Sequence, residues 1–121
     1  MIPLQKSNRL EHTGVTRLGA TTDRATIKGI YLSSTIAVTV PTIADAESDN
    51  VAVDVSAGFT VQPAVGDAVL AIPAAIVTDL LIHGAMVTST DQITVTFGTK
   101  EGGSGVTTTP VDFKFLLFDL T

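Results

Sequence analysis

Thr, Val and Ile together make up 42 of the 121 residues, as 19, 14 and 9 respectively. These β-branched side chains lose rotamer freedom in a helix and pack well on a pleated surface. The strong helix formers other than Ala are scarce: four Lys, three Arg, three Gln and three Glu. A helical bundle is excluded, and the chain is expected to be all-β. At this length it forms one globular unit. With 45% hydrophobic and 16% charged residues, disorder of the whole chain is excluded as well. There is no Cys, hence no disulfide framework, no thiolate nucleophile and no Cys-type zinc site.

The charge divides the chain. Residues 1–30 carry Lys6, Arg9, Arg17, Arg24 and Lys28 against Glu11 and Asp23, a balance of 5 − 2 = +3. Residues 31–121 carry Lys100 and Lys114 against ten carboxylates, 2 − 10 = −8. A basic arm on an acidic body is the organisation this implies. Within 1–26 neither the strand nor the helix period is evident, and Ile2, Leu4, Leu10, Val15 and Leu18 come singly. An N-terminal arm over 1–30 and a β domain over 31–121 follow. The N-terminus has no apolar run of the signal-peptide kind. No stretch approaches the ~18 apolar residues of a membrane helix.

Strand signals become regular from Ile27–Leu32 onward. Ile36–Val40 is a strand stopped by Pro41, which lacks the N–H that a ladder needs. Val51, Val53 and Val55 alternate with Asp54, as do Ile93, Val95 and Phe97 with Thr94 and Thr96. Phe59–Val61 reads as a further short strand, and Ala74–Leu81 as a segment able to make one helical turn. Ala68–Ile72 is apolar without interruption, which suits a strand covered on both sides or lying in a subunit interface. Gly98–Pro110, with four Gly and four Thr, reads as a flexible hairpin loop. Val111–Leu120 closes the chain with Phe113, Phe115 and Leu117 on one face. Short strands at intervals of roughly 8–14 residues predict an antiparallel β-sandwich, Ig-like or jelly-roll-like. Its core is expected to contain Val53, Val55, Val69, Ile72, Ile93, Val95, Phe97 and Phe115. Apolar residues beyond the needs of one thin core, Leu70, Leu116 and Phe118, form a candidate oligomer interface.

Catalytic constellations are nearly missing. Gly102-Gly103-Ser104-Gly105 lacks the glycine at 106 and the strand-to-helix setting of a nucleophile elbow. His12 and His83 are the only imidazoles. A buried, hydrogen-bonded His83 and an exposed His12 are expected rather than a metal pair. Asp45, Glu47 and Asp49 alternate as in a calcium loop, but Asn50 and Ser56 occupy the positions that need Gly and Glu. No cofactor and no metal are expected, and the protein is not read as an enzyme. Basic residues without interleaved aromatics argue against nucleic acid. No Trp and a single Tyr argue against a carbohydrate platform. The arm is the expected partner-binding element, through Lys6, Arg9, Leu10, Arg17, Leu18, Arg24 and Lys28.

Val65-Gly66-Asp67-Ala68-Val69, Ala71-Ile72-Pro73, Gly84-Ala85-Met86-Val87 and Ser89–Phe97, followed by a Gly/Thr-rich loop and a Phe/Leu-rich last strand, resemble a β-sandwich module of tailed-bacteriophage virion proteins. With Val51–Val55 the resemblance covers roughly 70–80 residues and leaves out the first 30. Thr99 stands where members of that family tend to carry Asn. The resemblance implies a capsid decoration (cement) protein: a homotrimer on the head shell, bound to the major capsid protein, made in the host cytoplasm and located on the virion surface. The alternatives are a head-fibre or tail-fibre module, and a secreted adhesion or carbohydrate-binding domain.

Overall fold

The computed structural model describes residues 16–18 and 25–121, with residues 16–18 and Ala25 as backbone alone. Among them there are nine strands and no helix: β1 Thr16–Leu18, β2 Ala25–Ile27, β3 Gly29–Leu32, β4 Ile36–Val40, β5 Ser48–Asp54, β6 Ala68–Pro73, β7 Leu80–Val87, β8 Gln92–Thr99 and β9 Thr109–Asp119. β1 and β2 form a two-stranded antiparallel ribbon, Thr16 opposite Ile27. The ribbon falls within the segment where no periodicity is legible.

The remaining strands make two antiparallel sheets. In the first, β9 is central: β6 pairs along one side of it, and β3 and β4 along the other. In the second, β8 lies between β5 and β7. β3 and β4 behave as one strand broken at Ser33. There the buried Ser33 substitutes for the ladder: its N–H donates to the Phe115 carbonyl at 2.9 Å, and its hydroxyl accepts the Phe115 N–H at 2.8 Å and donates to the Ser34 carbonyl. A break in a buried ladder persists only when its polar groups find such partners. No buried side-chain N or O among the described residues lacks one.

Alternation builds the core. Val38, Val40, Val111, Phe113, Phe115 and Leu117 of the first sheet meet Val53, Val87, Ile93, Val95 and Phe97 of the second, with Val55 and Phe59 closing one end. Phe97 and Phe113 stand edge to face across the sheets, ring centroids 6.0 Å apart, and Phe115 stacks on Phe113. The fold is an all-β antiparallel sandwich, and Val53, Val55, Ile93, Val95, Phe97 and Phe115 are buried as expected, while Val69 packs half-buried against the core.

Several local expectations need correction. Ile72 is not a core residue: it is 43% exposed, because it shares the outward parity of Leu70 while Val69 and Ala71 face in. β6 is therefore covered on one face only. Phe59–Val61 is not a strand; Phe59 is buried from a loop. Ala74–Asp79 is an irregular connection without a helical turn, and β7 starts at Leu80.

The Gly-rich segment is anchored and not a free loop. Val106 is buried and bridges Ile43, with Ile43 N–H to the Val106 carbonyl at 2.9 Å and the reverse bond at 2.8 Å. Gly105, at φ 73°, permits this approach, since a Cβ there would lie 2.7 Å from the Ile43 carbonyl oxygen. Asp79 holds the other side of the turn, accepting the Ser104 N–H on its carboxylate and the Lys100 N–H on its carbonyl.

Candidate assembly face and its latch

A sheet residue facing away from a sandwich core is free to be polar. On the first sheet it is largely apolar. The antiparallel register puts Ile30, Phe118 and Ala68 in one cross-strand row, and Leu32, Leu116 and Leu70 in the next; Ile72 lies opposite Lys114 in the third. Ile30, Leu32 and Leu70 are 58%, 55% and 56% exposed, whereas Leu116 and Phe118, on the central strand, are half-buried by their neighbours. Directly opposed side chains in adjacent strands are in contact range, so these residues form one continuous patch.

The expected interface residues Leu70, Leu116 and Phe118 thus share one face. Ile30, Leu32 and Ile72 extend it beyond that expectation. The signal for Ile72 is parity, since a strand that turns Leu70 outward must turn Ile72 outward too. Ile30 and Leu32 have the same two-residue spacing, but which strand they adjoin is a matter of tertiary pairing.

At one end of this face the three strands are fastened together. Asp67, at the turn into β6, is the one buried charged side chain among the described residues. Its Oδ2 accepts the Ala64 N–H at 2.9 Å. Its Oδ1 accepts the Leu120 N–H at 2.9 Å, the Thr121 N–H at 3.2 Å and the Thr121 hydroxyl at 2.9 Å. Burial by itself would raise the Asp67 pKa, but the N–H groups of Ala64 and Leu120 and the hydroxyl and N–H of Thr121 outweigh it and hold it below the ordinary carboxylate value. Lys28, just ahead of β3, donates its N–H to the Asp119 carbonyl at 2.7 Å and its Nζ to the Thr121 main-chain oxygen. One carboxylate and one lysine thereby tie the starts of β6 and β3 to the end of β9. Nothing in the local sequence around Asp67 announces a partner more than fifty positions away.

Of the expected partner-binding residues, Lys28 is the one whose side chain is described, exposed at this latch. Arg17 and Leu18 belong to the backbone of β1. Lys6, Arg9, Leu10 and Arg24, like His12, lie outside the described residues.

The second sheet turns out a different surface. Asn50 and Thr96 are opposed in register, as are Ala52, Thr94 and Met86. The Thr96 hydroxyl donates to Asn50 Oδ1 at 2.8 Å, and the Thr88 and Thr94 hydroxyls hydrogen-bond to each other at 3.1 Å. His83 corrects another expectation: it is exposed rather than buried. It is the extra residue of a β-bulge between Ile82 and Gly84, which turns a side chain out of the alternation. Its ring lies over Gly98, with Nε2 in the space that a Cβ there would fill. The acidic stretch Asp45–Asp49 is exposed and pinned to the sandwich by Thr99, whose hydroxyl donates to the Ala44 carbonyl and accepts the Glu47 N–H. Among the described residues no three His, Asp or Glu converge as a metal site would require. Comparison of the chain with protein-family models, with curated proteins and with solved structures finds no match.

Proposed function

We propose that this is a structural virion protein, a decoration (cement) protein that binds the outside of a phage head shell as a homotrimer and stabilises it by contact with the major capsid protein. The observation that supports this reading is the apolar outer face of β3, β9 and β6, adjoining the strand into which the basic N-terminal segment leads. A body with such a face is suited to assembly, and a segment of charge +3 is suited to an acidic surface. The action needs no bond-making. A protein that binds only the intact shell stabilises it by RT ln(1 + [L]/Kd), about 2.7 kcal/mol per site at a hundredfold excess over Kd.

Particles with and without this protein, heated in parallel and assayed for genome release, test the reading. Decorated particles are expected to withstand higher temperature, and protein lacking residues 1–26 is expected to be lost from them. Equal heat resistance with and without the protein would favour a fibre module instead.

A further inference from the structure

We infer that the outer face of β3, β9 and β6 is the self-association surface of this chain, turned toward the same face of the other copies about the axis of the assembly. This rests on the reading of the protein as one that assembles, and it names the surface and the occupant.

Six half-exposed side chains, Ile30, Leu32, Leu70, Ile72, Leu116 and Phe118, leave roughly 400 Å² of contiguous apolar surface in water, within the range of the largest patches seen on monomers, which are often functional. Charge points to a second copy as the cover. The outward charged side chains of the three strands are Lys114 and Asp112, a balance of 1 − 1 = 0. The other residues from 26 to 121 carry Lys28 and Lys100 against nine carboxylates, 2 − 9 = −7. Copies of this body repel one another wherever those carboxylates face each other, and the apolar face is the surface across which that penalty is smallest.

Packing chemistry then selects like against like. The outer face of the second sheet presents Asn50, Thr88, Thr94 and Thr96, which hydrogen-bond as Thr96–Asn50 and Thr88–Thr94, with Met86 as the exposed apolar side chain among them. Pressing Leu32 and Leu70 onto those hydroxyls and the Asn50 amide would desolvate them without supplying a partner. Apolar faces of neighbouring copies instead cover one another without stranding polar groups. The Asp67–Thr121–Lys28 latch keeps the three strands in register up to the edge of that contact.

Sedimentation of the full chain, in the absence of any particle, tests this. The wild-type chain is expected to associate at micromolar concentration. Leu32→Asp and Leu70→Asp are each expected to raise the dissociation constant by roughly thirtyfold or more, as for central interface contacts, while the circular-dichroism melt of the dilute protein stays cooperative. Thr94→Asp, on the other sheet, is expected to leave association unchanged. Since the chain has no Cys, Leu70→Cys supplies a second reading: an interchain cross-link is expected there and not for Thr94→Cys. A wild-type monomer at every concentration, or association that survives Leu32→Asp and Leu70→Asp but fails with Thr94→Asp, overturns the inference. Binding of the same variants to particles is scored separately. A chain that associates but does not attach refutes the decoration reading and leaves the surface intact, and a monomer that attaches through this face refutes the surface and leaves decoration standing.

Discussion

The two sheets contribute to one core, yet the first turns out a nearly all-apolar face and the second a mixed one, in which hydroxyl and amide groups surround Met86. Rows of Ile30–Phe118–Ala68 and Leu32–Leu116–Leu70 cover the first; Asn50–Thr96 and Ala52–Thr94–Met86 cover the second. Folding constrains both inner faces, because each must fill the same space. It does not constrain the outer ones in the same way. The second sheet pairs its hydroxyls laterally and meets water at little cost. The first leaves apolar area uncovered; at about 25 cal/mol per Å², roughly 400 Å² forgoes on the order of 10 kcal/mol of burial that a partner could recover in part. An outer face that departs from the polar norm carries information about assembly that the core does not.

The difference is sharpest along β9, where Phe115 points into the core and Leu116 out of it. Phe115→Ala is expected to cost about 3–5 kcal/mol at any protein concentration, as a fully buried ring removed from a close-packed core does. The measurement is urea unfolding at two concentrations. An outward truncation such as Leu116→Ala should instead become more costly as concentration rises, because the missing contact belongs to the associated state. If both costs proved independent of concentration, the outer face would be part of the monomer's own packing.

The latch at the edge of the apolar face gives the next largest effect. Asp67→Ala removes the acceptor of four hydrogen bonds and is expected to cost about 1–3 kcal/mol at neutral pH. The pH dependence has a definite sign. The Asp67 pKa is lower in the folded chain than in the unfolded one, so its contribution is fully present above the unfolded value of about 3.9 and is lost as pH falls through the folded value. Melting of wild type and Asp67→Ala should differ most near neutrality and converge in acid. A gap that stays constant down to pH ~2 would show that the ionised carboxylate is not what fastens the strands.

How much of this could be read from the chain depends on the range of the interaction. Local alternation located β5, β8 and β9 and their inward residues, because one buried face imposes a period of two. Parity also decides Ile72: placing Val69 inside requires Ile72 outside, and the unbroken apolar run Ala68–Ile72 masks that alternation. Phe59 shows the limit of the same signal, since a buried aromatic flanked by polar turns looks like a strand end. His83 shows another, because a bulge reverses parity in mid-strand. Leu70, Leu116 and Phe118 were legible as surplus apolar residues. Their union with Ile30 and Leu32 was not, since it follows from β3 and β6 flanking β9, a pairing of distant segments. Asp67 was invisible for the same reason: its partners include the last two residues.

The smallest expected effect lies on the Thr-lined face. Thr96→Val keeps the β-branched shape and removes one hydroxyl, whose acceptor, Asn50 Oδ1, remains open to water. Losing a single solvent-exposed hydrogen bond on a strand that favours Val is expected to change stability by no more than about 0.5 kcal/mol. The association state should not change, since the new methyl group would stand among Asn50, Gly84 and Thr94 rather than within a patch. Sedimentation and thermal melting of this variant beside Leu32→Asp measure the asymmetry directly. The two faces differ in function only if an apolar substitution on one is silent while a polar substitution on the other dissociates the protein. Were Thr96→Val to disrupt association as strongly as Leu32→Asp, the hydroxyl ladder would be an interface in its own right, and Asp54, which shares the outward parity of Asn50 and Ala52 at the end of β5, would require a cationic partner rather than a second acidic copy.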